Sequence, residues 1–287
     1  MHQQIKILLF AFILTAGLVP ASAQNDKKNA SEEVTYDGKG WVFGLNFGVY
    51  YTSKKTAGYY NGNLSNENNV GYVMNNYYWY QDIFHAMGAH DTVQVYGLPQ
   101  DMHYKLSMQP GIYMQYCFSP TLALLIEFNY MKLKTEDVIV FEVDPPIDYA
   151  TEPDLRLYPI QGTEERIYAD IGLKHTIPKT ESYSYYYMGG LNVNSTQVKK
   201  SSFYVEDKEY SMIDNIEGSY VPNGNYQTYN VYQGGIGLGV FAGAGVTLTF
   251  PSGIAAELGL TSHLVMANLT GYESMNPGIG FNVRFMF

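Results

Sequence analysis

From Trp41 to the C-terminus, large apolar side chains recur at every second position in runs of about ten residues, the period of a strand with one greasy face. In Trp41–Tyr51, the residues Trp41, Phe43, Leu45, Phe47, Val49 and Tyr51 share one face, and Gly44, Asn46 and Gly48 share the other. The same split recurs over Lys105–Phe118, weakened there by Pro110, which cannot donate to a ladder, and over Leu122–Tyr130. It returns in Ile167–Ile177, Tyr183–Val193, Val231–Phe250, Ile254–Met266 and Ile279–Phe287. The second face is polar or small throughout, and glycine-rich in Val231–Phe250. Eight strands are predicted.

The connections alternate in length. Ser119–Thr121, Pro178–Ser182 and Pro251–Ser252 are short, whereas Thr52–Tyr104, Thr135–Glu165, Thr196–Asn230 and Ala267–Pro277 are long. An even number of antiparallel strands with short turns at one end and long loops at the other describes a bacterial outer-membrane barrel, with short turns in the periplasm and long loops outside. A secreted sandwich or lipocalin-like barrel is the rival, with the apolar faces turned into a core. Aromatics at strand ends, among them Trp41, Tyr51, Tyr116, Phe118, Tyr130 and Phe287, match membrane-interface girdles and favour the transmembrane barrel.

The N-terminus sets the compartment. Lys6, the apolar run Ile7–Val19 and the small-x-small Ala21-Ser22-Ala23 read as a signal peptide cleaved after Ala23. The run is shorter than the roughly 20 residues that a spanning helix needs. Residues 24–39 are polar, lack an apolar period and read as a flexible periplasmic tail, leaving 40–287 as the barrel domain. A single Cys excludes an internal disulfide, and a net charge of −10 without a basic run argues against nucleic acid as a partner.

The leader, the alternating strands and the closing Gly280-Phe281-Asn282-Val283-Arg284-Phe285-Met286-Phe287 resemble an eight-stranded outer-membrane barrel. In that class Phe281, Val283, Phe285 and Phe287 form the C-terminal signal read by the barrel-assembly machinery. The Gly-rich sixth strand, the Pro-bounded turns and the Tyr-rich strands resemble the PorT-like outer membrane protein beta-barrel domain family. That resemblance implies an envelope component serving protein secretion across the outer membrane.

With the apolar faces in lipid, Glu127, Asp170, Lys174, Glu257, His263 and Arg284 point into the lumen of a barrel just wide enough for side chains to fill. An internal salt-bridge plug is the ordinary reading, because an unpaired buried charge costs several kcal/mol; a gated pore or proton site is the alternative. Catalytic and metal constellations are thin. His263 and Ser262, like His175 and Thr176, are sequence neighbours whose side chains point to opposite faces of a strand. His85, His90, Asp91 and His103 in the first loop lack a ligand spacing. Cys117 reads as a small lumenal side chain. Neither catalysis nor a cofactor is expected.

Tyr77-Tyr78-Trp79-Tyr80 in the first loop can stack on sugars or fill a partner's pocket, or pack over the barrel mouth. Three functions follow: an envelope structural or assembly component with fixed protein partners, a surface binder acting through its loops, and a narrow channel or lipid-modifying enzyme. Outer-membrane lipid surrounds the chain in each.

Overall fold

The computed structural model describes residues 39–144, 152–180, 182–213, 233–250 and 255–287. The expected signal peptide, nearly all of the expected tail, the Pro251–Ser252 turn and the start of the Val231–Phe250 run lie outside the described residues. Among the described residues ten strands are formed: β1 (Gly40–Thr52), β2 (Val93–Gly97), β3 (Ser107–Cys117), β4 (Leu122–Val143), β5 (Asp154–Pro178), β6 (Tyr183–Val205), β7 (Lys208–Ser211), β8 (Gly234–Thr249), β9 (Ala255–Met266) and β10 (Met275–Met286). Eight close a ring of antiparallel neighbours in the order β1, β3, β4, β5, β6, β8, β9 and β10, and β10 pairs back onto β1. Asn46 sits opposite Arg284 at that closure, and Phe287 and Phe43 exchange backbone hydrogen bonds beside it. No described helix is long and apolar enough to cross a membrane.

The ring is an eight-stranded transmembrane β-barrel turned inside out relative to a soluble protein. Trp41, Phe43, Phe47, Leu173, Tyr185, Leu191, Leu238, Leu260 and Phe281 are exposed on its outer wall. Asn46, Gln109, Glu127, Asp170, Asn192 and Arg284 are buried inside. Because side chains alternate strictly, the outward apolar set fixes which residues enter the lumen. About ten residues per strand, tilted, span the hydrocarbon layer.

Three strands do not stop at the membrane. The stretches expected as long loops, Thr135–Glu165 and Thr196–Asn230, are instead largely strand where described: β4 and β5 stay paired from Leu122↔His175 up to Val143↔Asp154, and β6 continues to Val205. On β4 the apolar phase reverses without any bulge. Through Tyr130 the even-numbered residues are apolar and face out; above it the odd-numbered Met131, Leu133, Ile139, Phe141 and Val143 are apolar and buried, while Lys132, Lys134 and Glu136 face solvent. The medium outside the wall has changed from lipid to water. On β6 the register slips where Thr163 and Glu164 of β5 face Lys200 and Val198, leaving Lys199 as the bulged residue and shifting which positions face in. Pro110 interrupts the pairing of β3 with β4: the ladder starts at Gly111, one residue past the proline, and the two segments rejoin above it at Tyr104 and Thr135.

The first connection, expected as a loop, folds into a cap over the inner face of the wall. It contains a 3-10 turn (Lys54–Tyr60), helix α1 (Gly71–Met74), helix α2 (Tyr77–Ala86) and β2, which pairs with the top of β4. Asn76 caps α2, its side chain accepting from the Tyr78 and Trp79 amides. Tyr59, Tyr60, Val73 and Ile83 pack with Phe141, Phe203 and Met212 in one apolar cluster that runs down to Tyr50 and Tyr168 in the barrel mouth. Asp144 ties the cap to the end of β4 by accepting the backbone N–H groups of His90 and Asp91 at 2.6–2.9 Å. Those bonds hold its carboxyl below the usual carboxylate range.

Candidate functional site

The lumen holds a layered network of charge. Parity brings Arg284 of β10 inward beside Glu127 of β4, where Nε and Nη2 donate to Glu127 Oε2 at 3.1 and 2.8 Å. Glu127 Oε1 also accepts from Asn46 at 2.7 Å and Asn129 at 2.8 Å. Arg284 Nη1 donates to Tyr186 Oη at 3.1 Å and lies 3.7 Å from Glu257. Glu257 pairs with Lys174 and accepts from Thr247 at 3.1 Å. The ammonium of Lys174 lies 4.7 Å from the centre of the Tyr186 ring. Four charges, all buried, from β4, β5, β9 and β10 thus close one network across the lumen. One layer up, His263 Nε2 meets Asp170 Oδ2 at 3.0 Å, and Asn192 donates to the other Asp170 oxygen at 2.7 Å. Tyr50, Tyr168 and Phe241 pack around the imidazole at ring-centre distances of 5.7, 5.2 and 6.0 Å.

All six lumenal charges named from sequence therefore face the interior, grouped as Glu127–Arg284–Glu257–Lys174 and Asp170–His263. A third buried ion pair joins Arg166 and Glu164. Arg166 donates to Glu164 at 2.6 Å through Nε and to Thr56 at 3.1 Å, while Tyr60 donates to Glu164 at 2.6 Å. This fully buried pair stitches the cap to the barrel mouth. Its signal was present, since Glu164 and Arg166 share the parity of Asp170 and Lys174. Arg166 falls on the polar face of the Ile167–Ile177 strand, whereas Glu164 falls in the stretch expected as a loop.

Room for the network comes from glycine. A Cβ added at Gly259 would stand 2.1 Å from Tyr186 Oη, so β9 must be bare there for the phenol to reach Arg284. Gly259→Ala is expected to destabilise the barrel by about 1–3 kcal/mol through overpacking. Adding Tyr186→Phe, which removes the clashing oxygen, should recover part of that loss in urea titrations of the double variant.

The other candidates are scattered. Ser262 faces outward while its neighbour His263 faces in, and His175 stacks on Tyr187 at 5.0 Å. His85 lies on α2, His90 donates its amide to Asp144, and His103 Nδ1 bonds the Asp101 carbonyl. Among the described residues no three His, Cys, Asp or Glu side chains converge in a metal-binding group. Cys117 is half-buried near the short-turn end, 3.5 Å from the Gln115 amide. Phe281, Phe285 and Phe287 line the outer face of the C-terminal segment, with Val283 partly covered between them.

The Tyr77–Tyr80 run is helical, not a loop, and its four rings divide. Trp79 and Tyr80 pack onto the cap core, and the Tyr80 hydroxyl accepts the Val93 amide at 3.0 Å. Tyr77 and Tyr78, 71% and 58% exposed, lie edge to face with ring centres 5.6 Å apart. Below them on α2, Asp82 accepts from Lys208 and Tyr210 of β7, which fixes the helix to the wall.

No family matches this chain, and no curated protein matches it in sequence. Several solved structures are similar to it in backbone. Ail, the attachment invasion locus protein of Yersinia pestis, solved in complex with the heparin analogue sucrose octasulfate, is 10% identical; 86% of this chain and 99% of that chain align, with a TM-score of 0.37. The N-terminal beta-barrel domain of Pseudomonas aeruginosa OprF is 12% identical over 87% of this chain and 99% of that one, at 0.33. The outer membrane protein OprG from Pseudomonas aeruginosa is 10% identical over 86% and 93%, at 0.36. The closed strand ring and the apolar belt define the barrel on their own.

Proposed function

We propose that this chain is a non-enzymatic outer-membrane barrel of a Gram-negative-type bacterium that anchors a folded contact platform outside the cell, acting as an envelope structural or assembly component. The observation that carries this reading is the cap: a connection with its own apolar core, locked to a raised strand wall, presenting two exposed tyrosines on a capped helix. The signal peptide provides export. The C-terminal phenylalanines supply what the assembly machinery recognises, and the long-loop end then faces outward. The paired lumenal charges support a filled interior in place of a diffusion pore. The PorT-like strand pattern supports a role in protein secretion across the outer membrane. Binding of a free surface ligand through the same tyrosines is the second reading.

The test is extraction of tagged protein from outer membranes in mild detergent, followed by mass spectrometry of co-purifying chains. An envelope protein at near-equal amount supports the assembly role; a lone barrel turns the reading to surface ligands. In the first case Tyr77→Ser/Tyr78→Ser is expected to lower partner recovery at least tenfold, because interface tyrosines carry about 2 kcal/mol or more each. Its folding stability should stay within about 0.5 kcal/mol of wild type, as for exposed positions generally.

A further inference from the structure

Directly above the apolar belt, the outer wall carries lysines on neighbouring strands. Tyr104 bridges Thr135, and the Lys105 amide donates to the Lys134 carbonyl at 2.8 Å, so Lys105 and Lys134 are cross-strand neighbours. Lys132 lies two residues below Lys134 on the same face, opposite Glu165 of β5. Lys199, the residue displaced by the β6 bulge, reaches the same Glu165 at 3.2 Å. Glu136 pairs with Lys105. Lys132 and Lys134 themselves have no ion-pair partner among the described residues. Four lysines against Glu136, Glu165 and Asp137, which lines the same hollow as Lys105 and Glu136, leave a cationic patch on a chain whose net charge is −10. Like charges directly across a strand pair repel unless an anion lies between them.

Height supplies the identity of that anion. One step down the same strand, Tyr130 begins the lipid-facing surface, so the lysines stand where acyl chains end and headgroups begin. We infer that Lys105, Lys132, Lys134 and Lys199 form a binding site for the phosphate of an anionic lipid headgroup in the leaflet around the long-loop end. Lys132 and Lys134 supply the uncompensated charge, and Glu165 and Glu136 hold the flanking lysines in place. The inference rests on the membrane reading above.

The purified full chain, folded in zwitterionic detergent, is titrated with phosphatidic acid and with phosphatidylcholine of the same acyl chains, and bound lipid is counted by native mass spectrometry. Wild type is expected to retain phosphatidic acid at least tenfold over phosphatidylcholine. Lys132→Gln/Lys134→Gln should lose that preference by about fivefold per lysine while keeping the heat-dependent gel shift of a folded barrel. Lys208→Gln, on β7 beside Asp82 of the cap, should retain it. Equal retention of both lipids by wild type, an unchanged preference in the double variant, or an equal loss in Lys208→Gln overturns the site. A folded chain that fails to insert into vesicles overturns the membrane reading instead; one that inserts without preferring the phosphomonoester overturns the lipid site alone.

Discussion

Replacing Arg284 with methionine is expected to cost the barrel about 3–5 kcal/mol, the usual penalty for removing one partner of a buried ion pair. Arg284 touches Glu127 twice, Tyr186 once and Glu257 at longer range, all away from solvent. Without it Glu127 keeps only the amides of Asn46 and Asn129, which do not neutralise a carboxylate. Neutralising the orphan as well, in Glu127→Gln/Arg284→Met, should recover most of the loss, since removing both charges leaves nothing unpaired. Urea unfolding in lipid vesicles, followed by the heat-dependent gel shift, gives the comparison. A single variant that unfolds at the wild-type midpoint would show that the network does not hold the barrel together.

A loss of similar size, about 3–5 kcal/mol, is expected for Phe203→Ala, through a cavity in the cap core. Phe203 is fully buried on the extended part of β6, with ring centres of Phe141 and Tyr210 each 5.5 Å away. Its neighbours come from β4 and β7, and the cap helices close over them, so the damage should stay above the membrane. Limited proteolysis is the measurement: cleavage within residues 54–101 should rise sharply while the belt strands remain protected. Simultaneous loss of protection in both regions would mean that wall and barrel unfold as one unit.

Within the membrane the strands were legible because lipid imposes a one-sided rule: every second residue is apolar, and a slip of one residue would turn the whole set around. That rule also placed Glu127, Asp170, Lys174, Glu257, His263 and Arg284 in the lumen. Above the membrane the rule lapses. On β6, Asn194, Ser195, Thr196 and Gln197 are polar on both faces, and the bulge at Lys199 then shifts the phase, so no single period marks the strand. On β4 the alternation persists from Met131 to Glu136 with its polarity inverted, so an outward apolar face no longer marks the strand there. Tyr113 and Tyr186 are lumenal although aromatic rings on such strands ordinarily mark the interface girdles. Helix α2 was hidden by its aromatic start; Asn76, a helix-capping residue just ahead of it, was the available cue.

The inverted stretch of β4 also sets a distance. From Tyr130 to Val143 the strand runs on the order of 40 Å in contour, or roughly 30 Å of height at the tilt of such barrels. The wall is therefore a stand-off: whatever meets Tyr77 and Tyr78 does so well clear of the leaflet that Lys132 and Lys134 face. Grip on the membrane and reach toward a partner reside at opposite ends of one rigid element, so each is free to change without disturbing the other.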